Sequence, residues 1–142
     1  MKVYADSSLL VSAFTTEAAS EAARASIAGL PEGALFTSRW CQTEVASALA
    51  LKARRGELPT QLWAQILHRI SDLLVGAATF VPIHDALFLA AGEMIERSAL
   101  PLRGPDALHL AIAQSGGASV WTLDKEMAAA GQAFGLDVRL LA

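Results

Sequence analysis

The chain has 142 residues, is 54% apolar and carries a net charge of −3, with a mean hydropathy of +0.40. That length and apolar content suit one domain, residues 1–142, with a real core, and exclude an intrinsically disordered chain. The acidic balance supplies no bulk basic surface, so any contact with nucleic acid has to rest on a local basic patch and bound cations.

The first predicted element is a short strand, Lys2-Val3-Tyr4-Ala5, ending in Asp6. The acid so close behind Lys2 interrupts the segment and argues against a signal peptide. Ser7 and Ser8 lead into the apolar run Leu9-Leu10-Val11 with Phe14, a strand-to-helix turn. Residues 17–28 read as an Ala-rich surface helix, and residues 34–37 as a second strand. A helix over residues 40–55 stops at Gly56. It holds the single cysteine, Cys41, which leaves no internal disulfide and fits a reducing cytoplasm. It also holds Glu44 on an otherwise apolar stretch, and the basic cluster Lys52, Arg54 and Arg55 at its end.

Pro59 and Thr60 open a helix whose Leu62, Trp63, Ile66, Leu67, Ile70, Leu73 and Leu74 recur at helical spacing. Residues 79–83, with Pro82, fit an edge strand. His84 and Asp85 read as capping residues of the next helix. Gly104 and Pro105 then break the chain ahead of Asp106, which stands at the mouth of a nearly all-apolar helix containing Leu108, Leu110, Ala111 and Ile112. Residues 118–122 form a strand followed by Asp124 and a short helix, and residues 137–141 a last strand. The alternation predicts a three-layer α/β/α fold around a central parallel sheet of about five short strands. No apolar run reaches the ~18 residues that span a bilayer.

Three acids share one grammar. Asp6 and Asp124 follow a strand and precede a helix, and Asp106 opens a helix after the Gly-Pro break. Such turns gather at one edge of a parallel α/β sheet, and Glu44, on the first turns of its helix, can join them. Each acid alone is weakly informative: Asp6 and Asp106 also read as charges that cap or stabilise their own helices, and Glu44 as part of a solvated face. Together they would repel unless they took up protons or a cation. With no zinc-type thiolate–histidine spacing in the chain, a hard ion such as Mg²⁺ or Mn²⁺ suits them. A water activated by such an ion and aimed at a phosphodiester is nuclease chemistry.

The motifs Val3-Tyr4-Ala5-Asp6-Ser7-Ser8-Leu9-Leu10, Glu44-Val45-Ala46-Ser47-Ala48-Leu49, Pro105-Asp106-Ala107-Leu108-His109-Leu110-Ala111-Ile112-Ala113 and Thr122-Leu123-Asp124 resemble, in order and spacing, those of PIN-domain ribonucleases, especially the VapC toxins of bacterial toxin–antitoxin pairs. The resemblance covers essentially the whole chain. It implies a Mg²⁺- or Mn²⁺-dependent endoribonuclease with Asp6, Glu44, Asp106 and Asp124 as catalytic metal-binding acids, Asp124 acting through water. Ser8 matches a small hydroxyl residue beside those acids. His109, three residues after Asp106, is expected to contact Asp106 or the substrate, or to make a structural hydrogen bond. Arg103 and Lys125 are candidate phosphate contacts. The sequence departs from many relatives at Leu123, where Asn is frequent, and at Met127, where Phe is. The resemblance also implies a tRNA or rRNA substrate, a homodimer, and a VapB-type antitoxin that blocks the acidic pocket with a basic residue, beside the cytoplasmic location and absence of a membrane partner expected from the lone cysteine and the short apolar runs. The apolar excess fits two such interfaces, with the helix of Leu62, Trp63 and Ile66 and that of residues 17–28 as candidate contacts.

Two rival readings stand beside it. One is a non-catalytic PIN-like binding module, against which the retention of four like charges counts. The other is a phosphoaspartyl phosphatase or receiver with Asp6 as nucleophile. The phosphatase needs a second acid where Ser8 stands, and the receiver needs its Asp at the end of a middle strand.

Overall fold

A computed structural model describes residues 1–141. Among them, five strands alternate with seven helices. In chain order these are β1 (Val3–Ala5), α1 (Ser7–Phe14), α2 (Ser20–Ala28), β2 (Leu35–Thr37), α3 (Arg39–Arg54), α4 (Thr60–Ala77), β3 (Thr79–Phe80), α5 (Asp85–Arg97), α6 (Gly104–Ser115), β4 (Ser119–Thr122), α7 (Lys125–Ala133) and β5 (Val138–Leu140). The strands form one all-parallel sheet in the order β3-β2-β1-β4-β5.

That order positions the site. The chain runs outward from β1 to β2 and β3, then returns to the other side of β1 for β4 and β5. β1 and β4 are therefore neighbours whose connections leave in opposite directions, and the crevice beyond their carboxyl ends is where open α/β sheets bind ligands. Ala5 registers with Trp121, which brings Asp6 and Thr122 side by side at that mouth.

Period-two alternation divides the core. Val3 and Ala5 of β1 join a cluster with α1, α3 and α4, whereas Tyr4 joins one with α5, α6 and α7. On α3 the buried positions are Cys41, Val45 and Leu49, and on α4 Ile66, Ile70 and Leu74. Each set is spaced by four and forms a single inward stripe. α6 differs: every residue from Ala107 through Ala113 is buried, because the sheet covers one side and α5 and α7 cover others. An apolar circumference is what such a position needs.

The predicted boundaries shift in places. α2 begins at Ser20 rather than near residue 17, because the Ser20 hydroxyl accepts the Glu17 N–H at 2.8 Å and holds the preceding residues in a turn. β3 stops at Phe80, well short of residue 83, although the Val81 N–H still bonds to Thr37 O at 2.8 Å. Pro82 has no N–H with which to continue the ladder. His84 occupies the N-cap of α5 but makes no side-chain cap bond.

Gly131 on α7 is a close-approach position: a Cβ there would lie 2.7 Å from Val138 Cγ2 and 3.0 Å from Leu110 Cδ2. Both neighbours are core side chains, so Gly131→Ala is expected to overpack the joint of α7, β5 and α6 and to destabilise by roughly 1–3 kcal/mol. Urea unfolding checks this; a variant as stable as the parent would mean that α7 slides outward freely.

Candidate active site

Asp6 sits immediately beyond β1 as the N-cap of α1 and is 3% exposed. Its Oδ1 accepts the Leu9 N–H at 3.0 Å and the Ser8 hydroxyl at 2.7 Å, and its Oδ2 accepts the Thr122 hydroxyl at 2.6 Å. Thr122 in turn accepts the Asp124 N–H at 2.9 Å, and Ser8 Oγ accepts the Leu123 N–H at 3.1 Å. The ends of β1 and β4 are thus stitched together around the Asp6 carboxylate. Burial pushes that carboxyl above its ordinary value, and the bonds from Thr122, Ser8 and Leu9 oppose the rise only in part.

Glu44 enters from α3. Its Oε2 accepts from the Ser7 hydroxyl at 3.0 Å and lies 2.6 Å from His109 Nε2. Burial pushes this carboxyl up, but the hydrogen bond to His109, then Ser7 and Arg103, together outweigh it and hold Glu44 below its ordinary value. His109 is 1% exposed. Its Nδ1 is 2.7 Å from the Tyr4 hydroxyl, which lies 2.8 Å from Ser38 Oγ, the side chain that caps α3 by accepting the Cys41 N–H. His109 therefore contacts Glu44 and Tyr4, and Asp106 is not among its hydrogen-bond partners.

Asp106, on the first turn of α6, makes no cap bond; it accepts from Arg103 Nε at 3.4 Å, and the Arg103 side chain is 73% exposed. Burial raises the Asp106 carboxyl, the charge of Asp124 adds to the rise, Arg103 opposes it, and Glu44 adds again. Asp124 caps α7 through its Oδ1, which accepts the Met127 N–H at 3.0 Å. Lys125 follows it as an exposed residue. Asp6 is thus tied to Asp124 through Thr122, while Glu44 and Asp106 feel each other's charge.

Each carboxylate is turned onto its own local partners, and among the described residues no three His, Cys, Asp or Glu side chains are grouped to share one ion. Taking up a cation requires some of them to turn. The donor set is nonetheless suited to a hard ion. It consists of carboxylate and hydroxyl oxygens, both His109 nitrogens are engaged, and Cys41 is buried with its thiol pushed up by desolvation and hydrogen-bonded to Ala5 O. The predicted site residues Asp6, Ser8, Glu44, His109, Asp106, Arg103 and Asp124 all fall in this region. The hydroxyls of Ser7 and Thr122 and the Tyr4–Ser38 pair are participants that sequence reasoning did not mark.

Two clefts lie at the other end of α1. One, of about 620 Å³, is lined by Phe14, Lys52, Leu62, Ile66 and Arg69 among others; the second, of about 570 Å³, adjoins it along α2 with Arg24, Ile27 and Leu73. Of the predicted interface helix, Ile66 is buried and Trp63 packs on the core, while Leu62 is exposed.

A family model described as PIN domain matches residues 3–132. Among solved structures, the chain is similar to VapC20 of Mycobacterium tuberculosis, described as a sarcin-ricin loop cleaving toxin, with a TM-score of 0.72 and 18% identity, covering 92% of this chain and 95% of that one. It is similar to FitAcB of Neisseria gonorrhoeae at a TM-score of 0.67 and 14% identity, covering 98% and 97%. PAE2754 of Pyrobaculum aerophilum gives a TM-score of 0.65 and 21% identity, covering 92% and 84%. No curated protein matches the sequence.

Proposed function

The chain belongs to the PIN domain family, and from that premise we propose that it is a single-domain, metal-dependent endoribonuclease of the VapC type, the toxin of a toxin–antitoxin pair. The observation that carries this reading is the acid edge itself. The Asp6 carboxylate and the Asp124 backbone N–H share the Thr122 hydroxyl across the β1–β4 mouth, and on α6 the Asp106 carboxylate feels the charges of Asp124 and of Glu44 from α3. Asp6, Glu44 and Asp106 would hold Mg²⁺ or Mn²⁺, with Asp124 reaching it through water. Bound there, the ion supplies an activated water at neutral pH and neutralises charge on the phosphodiester.

The chain's own residues prepare that chemistry. Ser8, Thr122 and the Leu9 N–H fix the Asp6 carboxylate without neutralising it. Asp6 is buried and the other three acids are half-buried, a setting that screens a cation less than bulk water does. Arg103, mostly exposed and in a long pair with Asp106, is free to turn to a substrate phosphate, and Lys125 is placed to do the same.

The substrate is a structured cellular RNA, of tRNA or rRNA type, met in the cytoplasm. Among the described residues no helix is long and apolar enough to cross a membrane. A VapB-type antitoxin would seat an apolar segment in the clefts beside α2 and α4. Its tail would run back along α1, a helix roughly 12 Å long by its eight residues, to set a basic side chain among the acids.

A homodimer would form through α5, whose outer face exposes Phe88 (56%), Leu89 (70%) and Ile95 (40%) around Gly92. In an antiparallel pair the first-turn Asp85 of one copy approaches the last-turn Arg97 of the other. Phe88→Asp is therefore expected to convert the dimer to a monomer in sedimentation; a monomeric parent, or a dimeric variant, would place the contact elsewhere.

Induced expression in a bacterium tests the function directly. The parent should arrest growth and Asp106→Asn should not. Unaffected growth with folded parent protein accumulating would count against the toxin.

A further inference from the structure

The bonds that end on Glu44 run one way. The Cys41 N–H donates to Ser38 Oγ at 3.1 Å. That leaves the Ser38 hydroxyl to donate to Tyr4 at 2.8 Å, the Tyr4 hydroxyl to donate to His109 Nδ1 at 2.7 Å, and His109 Nε2–H to donate to Glu44 Oε2 at 2.6 Å. Reversing the chain would set an unprotonated Nε2 against a carboxylate and would leave the Ser38 proton, fully buried, without an acceptor. Every group is satisfied in the forward sense.

The path also touches α3 and α6, which carry Glu44 and Asp106, and β1, which Asp6 directly follows. Tyr4 lies on β1 two residues before Asp6. His109 lies on α6 one turn after Asp106. Ser38 caps α3, the helix that carries Glu44. Both hydrogen bonds to Glu44 land on Oε2, and among the described residues none lands on Oε1. One oxygen is clamped and the other is left for a ligand. Tyr4 is 0% exposed, so its hydroxyl, within an otherwise apolar cluster, serves only Ser38 and His109.

We infer that Tyr4, backed by Ser38, fixes His109 in the tautomer that carries its proton on Nε2, and that His109 so fixed is the positioning residue that presents Glu44 Oε1 to the metal centre. The inference rests on the acid-centre reading above. His109 touches neither substrate nor reacting atoms; it acts through Glu44, as outer-sphere partners of metal ligands do.

The test uses the purified chain with Mn²⁺ as probe, titrated by calorimetry, together with ¹⁵N spectra of the imidazole and melting curves. The parent should show Nε2 protonated and Nδ1 as a hydrogen-bond acceptor. Tyr4→Phe and His109→Leu should each weaken Mn²⁺ binding about 10-fold or more. His109→Gln, whose amide can still donate to Glu44, should recover most of the affinity. Tyr4→Phe alone decides the matter if His109→Leu does not fold. Folded variants with parental Mn²⁺ affinity, or a parent protonated at Nδ1, would overturn the inference and leave His109 a core residue only. A parent that takes up no Mn²⁺ gives a different signature: it overturns the acid-centre reading and the inference with it.

Discussion

Asp6→Asn is expected to slow RNA cleavage by at least about 100-fold while the metal-free protein melts at the same or a higher temperature at pH 7. Asparagine serves well as an N-cap, so the bond from the Leu9 N–H survives. One hydroxyl, Ser8 or Thr122, has to turn to accept the new amide, a loss of about 1 kcal/mol. Against that stands the removal of a charge that is 3% exposed and whose carboxyl burial already pushes upward. The pH dependence gives the sign. Because the folded value lies above the ordinary 3.8, this group favours the folded state fully below that value, and the advantage is lost as pH rises through the raised one. Asp106 shares the direction. The melting difference between Asp6→Asn and the parent should therefore grow from pH 4 to pH 7. A difference that shrinks over that range would mean that the donors around Asp6 outweigh its burial.

Glu44→Gln has the opposite stability sign and the second largest functional effect. Glu44 is held below its ordinary 4.5 because the hydrogen bond to His109, then Ser7 and Arg103, outweigh desolvation. Its contribution is present above 4.5 and is lost as pH falls through the lowered folded value. Removing the charge should therefore destabilise the metal-free protein at pH 7, by about 1 kcal/mol, since the glutamine carbonyl still accepts from His109 and only the charge assistance is lost. It should also weaken Mn²⁺ binding about 10-fold or more, at least the effect seen for outer-sphere partners. Calorimetry with Mn²⁺ separates the two effects. Unchanged affinity in a folded but destabilised variant would place Glu44 off the ion.

The fold was legible because its cues are local. Gly56 and Gly116-Gly117 mark helix ends, the apolar stripes repeat by four, and each acid stands beside a strand or a Gly-Pro break. The strand order followed from alternation only as far as "parallel"; that β1 and β4 flank the switch point emerges from pairing across more than 100 residues. The acids were legible for the same local reason. Their partners were not: Thr122 lies 116 positions from Asp6, and Tyr4 lies 105 from His109. Tyr4 reads in the sequence as an apolar strand residue, since nothing local distinguishes a buried ring with an engaged hydroxyl from one that only packs. Periodicity marks an apolar face without saying what covers it, and core packing is the expectation for most of the Leu62, Trp63 and Ile66 face. On α4 most of that face is core, whereas α5 leaves Phe88 and Leu89 uncovered.

The most direct measurement is cleavage of a mixed tRNA and rRNA pool by the purified chain in Mg²⁺, in Mn²⁺ and in EDTA, with cut sites mapped. Discrete cuts in either ion, absent with EDTA and absent from Asp6→Asn in every condition, are the expected result. Cuts that persist in EDTA, or that Asp6→Asn makes equally well, would contradict a metal-dependent centre built on the acids at the β1–β4 mouth.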